Sequence, residues 1–220
     1  YKTTKSKEAY VSLDQYIENM KEGQKEIYFL TGENLTSLMN SPLLESLKAK
    51  DYEVLLMVDP IDEWVTQSLP EYKEKKLKSA EKGDLDLDKV DDEKKNEYSA
   101  LLAFLKGKLE ARVKDVVVSN RLKDSVSCLS GDDYGMSAYM EKILKASGQS
   151  TPDQKRVMEV NVNHKVLEKI KGLFETDTTN PVLTDYSDLL YDIAVISEGG
   201  KLDNPARFSA LLGDLMAKAI

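Results

Sequence analysis

The side chains best suited to chemistry are few, and they do not cluster. The chain has one histidine, His164, and one cysteine, Cys128. A single imidazole without a second His or a Cys/Asp group at ligand spacing does not make a usual zinc site. Nor does it find a Ser or Cys in a recognisable elbow to activate as a nucleophile. Its context, Asn161-Val162-Asn163-His164, reads as the start of a helix or a surface turn. Cys128 lies in an apolar run, where a small buried hydrophobe is its ordinary role. No G-x-G-x-x-G follows a strand and no Walker A sequence occurs, so no phosphate cradle is encoded. Gly199-Gly200 reads as a helix stop. Carboxylates are plentiful, but they concentrate between residues 71 and 97, outside any pocket-like context. Catalysis within this chain is not expected, and neither is a bound metal or cofactor.

Composition narrows the classes further. The 220 residues are 41% hydrophobic and 32% charged, and 39 acids against 31 bases leave a net charge of −8. That balance describes a globular, charge-rich protein and lacks the basic stripe a nucleic-acid surface needs. No apolar run approaches the roughly 18 residues required to span a bilayer. A lone cysteine permits no intrachain disulfide, which makes a reducing, cytoplasmic compartment the default. The first residue is Tyr1, not Met, and reads as a processed or truncated start.

The elements follow from periodicity and punctuation. Residues 1–10 are polar at first and are expected to be disordered. Ile27–Leu30 and Val54–Val58 are strand-like, and Asn34–Lys48 between them is helical in pattern, broken at Ser41-Pro42. Two short apolar strands with a helical crossover imply a parallel pair in a small α/β unit, and Lys76–Ala80 could add an edge strand. Asp59 is the expected cap of a helix reaching Leu69, with Pro60 in its first turn and Ile61, Val65, Ser68 and Leu69 inward. Residues 71–97 carry ten acids and eight lysines and read as a solvated linker leading into a helix, so a domain boundary is placed at 90/91. Beyond it come a helix over Asp92–Leu109, a strand Val113–Ser119 with an antiparallel partner Ser125–Leu129, and a helix Tyr134–Ala146. A strand Val157–Val160 precedes helices at His164–Leu173, Val182–Ser197 and Asn204–Ala219. The expected fold class is α/β plus α+β.

Three apolar features ask for partners. In the last two helices Val182, Leu183, Tyr186, Leu189, Leu190, Ile193 and Ile196, then Phe208, Leu211, Leu212, Leu215, Met216 and Ala219, recur at spacings of three and four. Such a hairpin either packs on its own domain or pairs with a second copy in a four-helix bundle, and the pattern alone does not choose. Met136, Tyr139, Met140, Ile143 and Leu144 share a stripe that is either core or an adaptable binding face, since the unbranched thioether of Met accepts many shapes. Trp64, the only tryptophan, stands at the margin of its helix as a core-edge residue or a partner anchor. The rival from another class is a small-molecule-binding α/β enzyme using the crevice at the strand ends. It would need a ligand loop after Leu30 or Val58, and Thr31-Gly32-Glu33-Asn34 is short, with one glycine.

Several stretches resemble a known family. Ser12-Leu13-Asp14-Gln15-Tyr16, Met20-Lys21-Glu22-Gly23-Gln24, Asn40-Ser41-Pro42 and Asp59-Pro60-Ile61-Asp62-Glu63-Trp64 are similar to the middle domain of heat-shock-protein-90 chaperones. Val116-Val117-Val118-Ser119-Asn120-Arg121-Leu122 and Tyr134-Gly135-Met136-Ser137 with Met140-Glu141 resemble that family's C-terminal domain. The resemblance runs in order from about Val11 to Ile220.

The resemblance implies a piece of an ATP-driven chaperone that works as a homodimer and binds non-native client proteins. Residues 11–90 would be the three-layer α/β end of the middle domain. Residues 91–220 would be the dimerisation domain, closing in a helical hairpin that forms a four-helix bundle with its twin. Client contacts would include Glu63, Trp64, Gln67, Met136, Met140, Ile143 and Leu144. ATP and magnesium would belong to the full-length protein, whose nucleotide-binding domain and ATP-contacting arginine are not in this sequence, so no ATP hydrolysis is expected of this piece. The end at Met216-Ala-Lys-Ala-Ile220 lacks both the Met-Glu-Glu-Val-Asp tail of eukaryotic cytosolic members and an ER-retention signal, which points to a bacterial form.

Overall fold

The computed structural model describes residues 1–87, 91–151 and 154–219. They gather into two compact units, Tyr1–Lys89 with Ser130–Gln154, and Val90–Leu129 with Lys155–Ile220. The expected boundary at 90/91 abuts residues 88–90, which lie outside the described residues. Ser130–Gln154, grouped by sequence with the second half, packs with the first.

The first stretch of chain builds a five-stranded sheet from β1 (Lys2–Thr3), β2 (Ile27–Thr31), β3 (Val54–Met57), β4 (Glu71–Tyr72) and β5 (Lys75–Ser79), in the order β1-β3-β2-β5-β4. β3 and β5 both pair with β2 in parallel. Every residue of β2 and β3 is buried, as expected of parallel strands covered on both faces. The helices here are α1 (Leu13–Glu18), α2 (Leu35–Met39), α3 (Glu45–Ala49) and α4 (Asp62–Ser68), with a 3-10 turn at Pro42–Leu44 before α3. The interruption at Ser41-Pro42 falls where the sequence places it: Pro42 opens the tighter turn and the Ser41 hydroxyl accepts the Leu43 N–H.

Tyr16 on α1 joins three elements. It packs with Ile27, Phe29, Leu55 and Met57. Its hydroxyl donates to the Glu53 carbonyl and accepts the Tyr28 N–H and the Gln24 side-chain amide, both at 3.0 Å. Burial pushes this phenol well above its ordinary value.

Three expectations for this stretch are corrected. Residues 1–10 are not without structure: β1 pairs antiparallel with β3, and the buried Thr3 hydroxyl donates to the Glu53 carboxylate. Lys75–Ser79 is not an edge strand, because β4 folds back on it across a turn at Lys73 and Glu74, both in the left-handed region. The charged run is therefore a hairpin first, and Ala80, Glu81 and Leu85 after it are buried. Finally, α4 begins at Asp62, and the polar contact is reversed from the one expected, since the Asp62 carboxylate accepts the Asp59 N–H at 3.1 Å. Ile61 and Ser68 are exposed while Asp62 and Glu63 are buried, so the inner face of α4 is acidic at its start.

The rest of the chain contributes α5 (Asp92–Lys108), β6 (Val113–Val118), β7 (Ser127–Ser130), α6 (Ala138–Ala146), β8 (Arg156–Val160), α7 (Lys165–Thr176), α8 (Val182–Ser197) and α9 (Pro205–Ala219). The strands order as β6-β8-β7, with β6 and β8 parallel. Val113–Ser119 and Ser125–Leu129 are therefore not direct partners, because β8 lies between them. α5, α7 and α8 cover this sheet through Leu101, Leu105, Leu167, Ile170, Leu183 and Leu190. His164 caps α7, its Nδ1 accepting the Val166 N–H at 3.2 Å, and Cys128 is buried. Gly199 closes α8 at φ 74°. An ion pair in this core had no warning in the sequence: Arg121, 1% exposed, meets Glu159 at 2.9 Å, and Ser119 donates to the same carboxylate.

Replacing Tyr16 by Phe leaves the buried Tyr28 N–H without its acceptor and should lower stability by about 1–3 kcal/mol near neutral pH. A phenol raised in the folded state stabilises below the ordinary tyrosine value of about 10, and this contribution fades as pH rises toward the folded value. The gap between wild type and Tyr16→Phe in urea titrations should thus narrow as pH rises above about 10.

Candidate functional site

The helix α6 is seated on the first unit by polar contacts at its start. Its cap Ser137 is buried; the Oγ accepts the Met140 N–H at 3.0 Å and donates its proton to Glu63 Oε1 at 2.6 Å. Glu81, also buried, accepts the Ala138 N–H at 2.7 Å. Two carboxylates therefore face the positive end of a helix whose first N–H groups lack partners within it. Farther along, the Tyr139 hydroxyl donates to the Val58 carbonyl at 3.0 Å, and Lys142 pairs with Glu33 at 3.4 Å. Burial raises the Tyr139 phenol above its ordinary value.

The client-contact residues named by resemblance fare unequally. Trp64 is 42% exposed, and Gln67 lies exposed one turn along α4. Met136, Met140, Ile143 and Leu144 are each half-buried, which leaves part of every side chain in water. Glu63 is 2% exposed and engaged with Ser137. The Glu63–Ser137 bond brings α4 and the start of α6 together, with Trp64 next to one end and Met136 next to the other. The helix expected from Tyr134 starts only at Ala138, because Ser137 caps it there; Tyr134 stands in the preceding turn, fully exposed.

Sequence reading missed Glu81 and Ser137 as parts of this seat, and placed Tyr139 on the apolar stripe without its bond to Val58. Ser137 carried a signal, as a serine opening an apolar periodic run. Val58 follows β3 directly and Glu33 lies just past β2, so α6 covers the strand ends where a small-molecule crevice would have to open. The side chain of Asn34 in that loop is committed to capping α2.

In the second unit α8 has two apolar faces. Leu183, Leu190, Ala194 and Val195 enter the core. Ile193 and Ile196 remain 37% and 46% exposed. α9 adds Leu212 and Met216 at 44% and 59%, with Phe208, Leu211 and Leu215 half-buried. Leu189 departs from the expected set, since it is buried in its own chain. α9 is tied to α8 through Arg207, whose guanidinium reaches Asp185 and Asp188 at 2.9 Å, while Asp188 also receives Arg112. The Asp188 carboxylate holds the Arg207 guanidinium above its usual value.

Among the described residues no group of three or more His, Cys, Asp or Glu side chains could hold a metal, and no helix is long and apolar enough to cross a membrane.

The sequence model of the Hsp90 protein family matches residues 1–220. The chain belongs to the Hsp90 protein family. Its relatives include the chaperone protein HtpG of Geobacter sulfurreducens, 48% identical over 94% of this chain and 33% of that protein. HtpG of Methylococcus capsulatus is 43% identical over 97% of this chain and 34% of its own length. HtpG of Mycolicibacterium paratuberculosis is 39% identical over the whole of this chain and 35% of its own. This Hsp90-family chain thus spans about a third of the length of the curated relatives it matches.

Two aromatic residues of the site should differ in what their truncation costs. Tyr139→Ala removes a buried ring and its bond to Val58 and should cost about 3 kcal/mol in urea unfolding. Trp64→Ala, at a half-solvated position, should cost less than half of that.

Proposed function

We propose that this chain supplies the self-association surface and part of the client-holding surface of an Hsp90-type chaperone. The observation that carries the reading is the apolar face of α8 and α9, where Ile193, Ile196, Leu212 and Met216 stand in water although the rest of the second unit is well packed. Neighbouring large apolar residues at helical spacing are costly to leave hydrated, at roughly 25 cal/mol per Å². A second copy of the same hairpin is a self-complementary cover, and two hairpins make a four-helix bundle. The relatives carry the name chaperone, which fits a protein that works as such a pair.

In this reading residues 11–90 serve as the end of a middle domain and residues 91–220 as the dimerisation domain. The client surface is the half-exposed apolar set of Trp64, Met136, Met140, Ile143 and Leu144. Methionine suits this task because non-native chains offer no fixed shape to match. Binding is weak and adaptable, since no deep pocket is needed. The whole protein uses ATP and magnesium and works in the bacterial cytoplasm. Among the described residues no glycine-rich cradle fits the nucleotide, and the loop after β2 is occupied by its own cap and by α6.

Sedimentation should find the chain dimeric at micromolar concentration. Leu212→Asp with Met216→Asp should return it to monomer without loss of helix content, since both positions are exposed in the single chain. A wild type that sediments as a monomer contradicts the self-association reading. Separately, Trp64→Ala with Met140→Ala should weaken suppression of client aggregation several-fold while leaving the dimer intact; unchanged suppression would remove the client patch.

A further inference from the structure

The resemblance assigns Glu63 to the residues that touch a bound chain, yet a carboxylate 2% exposed has almost no surface to offer one. We propose that Glu63 is a positioning residue for the apolar patch, acting through the Ser137 hydroxyl to fix the first turn of α6 against α4. This inference rests on the reading of Trp64 and the Met136/Met140 stripe as a client surface, and it deepens that reading by saying what sets the surface's geometry.

The chemistry of one hydroxyl carries it. A serine has a single proton and two lone pairs. Here the proton goes to Glu63 Oε1 at 2.6 Å. The lone pairs are thereby left for the Met140 N–H, the N3 group of α6, at 3.0 Å. Donation to the carboxyl oxygen also polarises the hydroxyl and makes it the better acceptor. Glu63 therefore decides both whether Ser137 stays oriented as a cap and how firmly the first turn of α6 is held. Glu81 secures the neighbouring Ala138 N–H at 2.7 Å, so Ser137, backed by Glu63, and Glu81 divide the orphan donors of one helix end between them.

The consequence for the patch is geometric. Met136 precedes Ser137 and Met140 follows three residues later, so both are carried by the turn this bond holds. Trp64 is the next residue after Glu63 on α4. One bond thus couples the placement of the tryptophan to that of the methionines. Without Glu63 the Ser137 hydroxyl is buried with its carboxylate gone, and α6 loses the tie to α4 while keeping every apolar side chain.

The test uses the full chain and a fluorescein-labelled polypeptide kept unfolded by reduction and carboxymethylation, with affinity read by anisotropy. Amide hydrogen exchange of residues 138–141 is read in the absence of that probe. Glu63→Ala and Ser137→Ala should each weaken binding about tenfold and speed exchange at the start of α6. The double variant should be no weaker than either single one, because both remove the same bond. Glu63→Gln keeps an acceptor oxygen and should recover most of the loss. Trp64→Ala should weaken binding without changing exchange. The proposal is overturned if Glu63→Ala weakens binding while α6 exchange stays at the wild-type rate, since Glu63 would then touch the bound chain itself. It is equally overturned if the Glu63 and Ser137 losses multiply in the double variant. Should Glu63→Ala not fold, Ser137→Ala beside Glu63→Gln makes the same comparison. A Trp64→Ala chain that binds like wild type defeats the client reading instead, and the exchange rates then still decide what Glu63 does.

Discussion

A helix that carries apolar residues on two faces can bury only one of them in its own unit, and α8 is such a helix. Its Leu183, Leu190, Ala194 and Val195 complete the core of the second unit, which commits the helix's orientation. Ile193 and Ile196 are then turned to water, and α9 brings Leu212 and Met216 to join them. The polar groups of the hairpin reinforce this arrangement. Asp188 is held by Arg112 on one side and Arg207 on the other, so the charges fix α9 on α8 instead of shielding the apolar residues. Four large apolar residues left exposed on two adjacent helices are a reason to expect a covering partner.

The first unit meets a related constraint by different means. The apolar stripe of α6 is half-covered, not left over, because the helix is pinned at its start by Glu63 and Glu81 and along its length by Tyr139. Buried polar groups with complete hydrogen bonding specify one placement where apolar contact alone would permit several. Arg121 and Glu159 do the same inside the second unit, with Ser119 completing the carboxylate. Removing one member of such a pair costs about 3–5 kcal/mol, because the other is left charged and dry.

Much of this was legible from the chain, and the failures have physical causes. The parallel β2–β3 pair, the break at Ser41-Pro42, the helix entry at His164 and the end of α8 at Gly199 were all marked by local pattern or residue type. The β4–β5 hairpin was hidden because its turn is Lys73-Glu74, not Asn-Gly. Both residues take the left-handed conformation that an ordinary side chain resists, so no local signal marks it. The β6-β8-β7 order was missed because pairing between distant strands leaves no trace in spacing, and the nearer candidate was preferred. At the candidate site, apolar stripes showed which residues could remain exposed. The burial of Glu63, named by resemblance among the client contacts, was not legible, because a glutamate beside an exposed tryptophan gives no local sign of it. Its burial depends on Ser137, 74 positions away in sequence.

The claim on which the account turns is that the α8–α9 face is covered by another copy of the chain while the α6 face stays open. Hydrogen exchange measured on the intact chain at high and at low protein concentration tests it directly, because only a surface closed by self-association responds to dilution. The account predicts that amides of α9 exchange slowly when the chain is concentrated and faster when it is dilute, with those of α6 unchanged between the two. Exchange in α9 that ignores concentration would mean that no second copy covers it, and the self-association reading would fall.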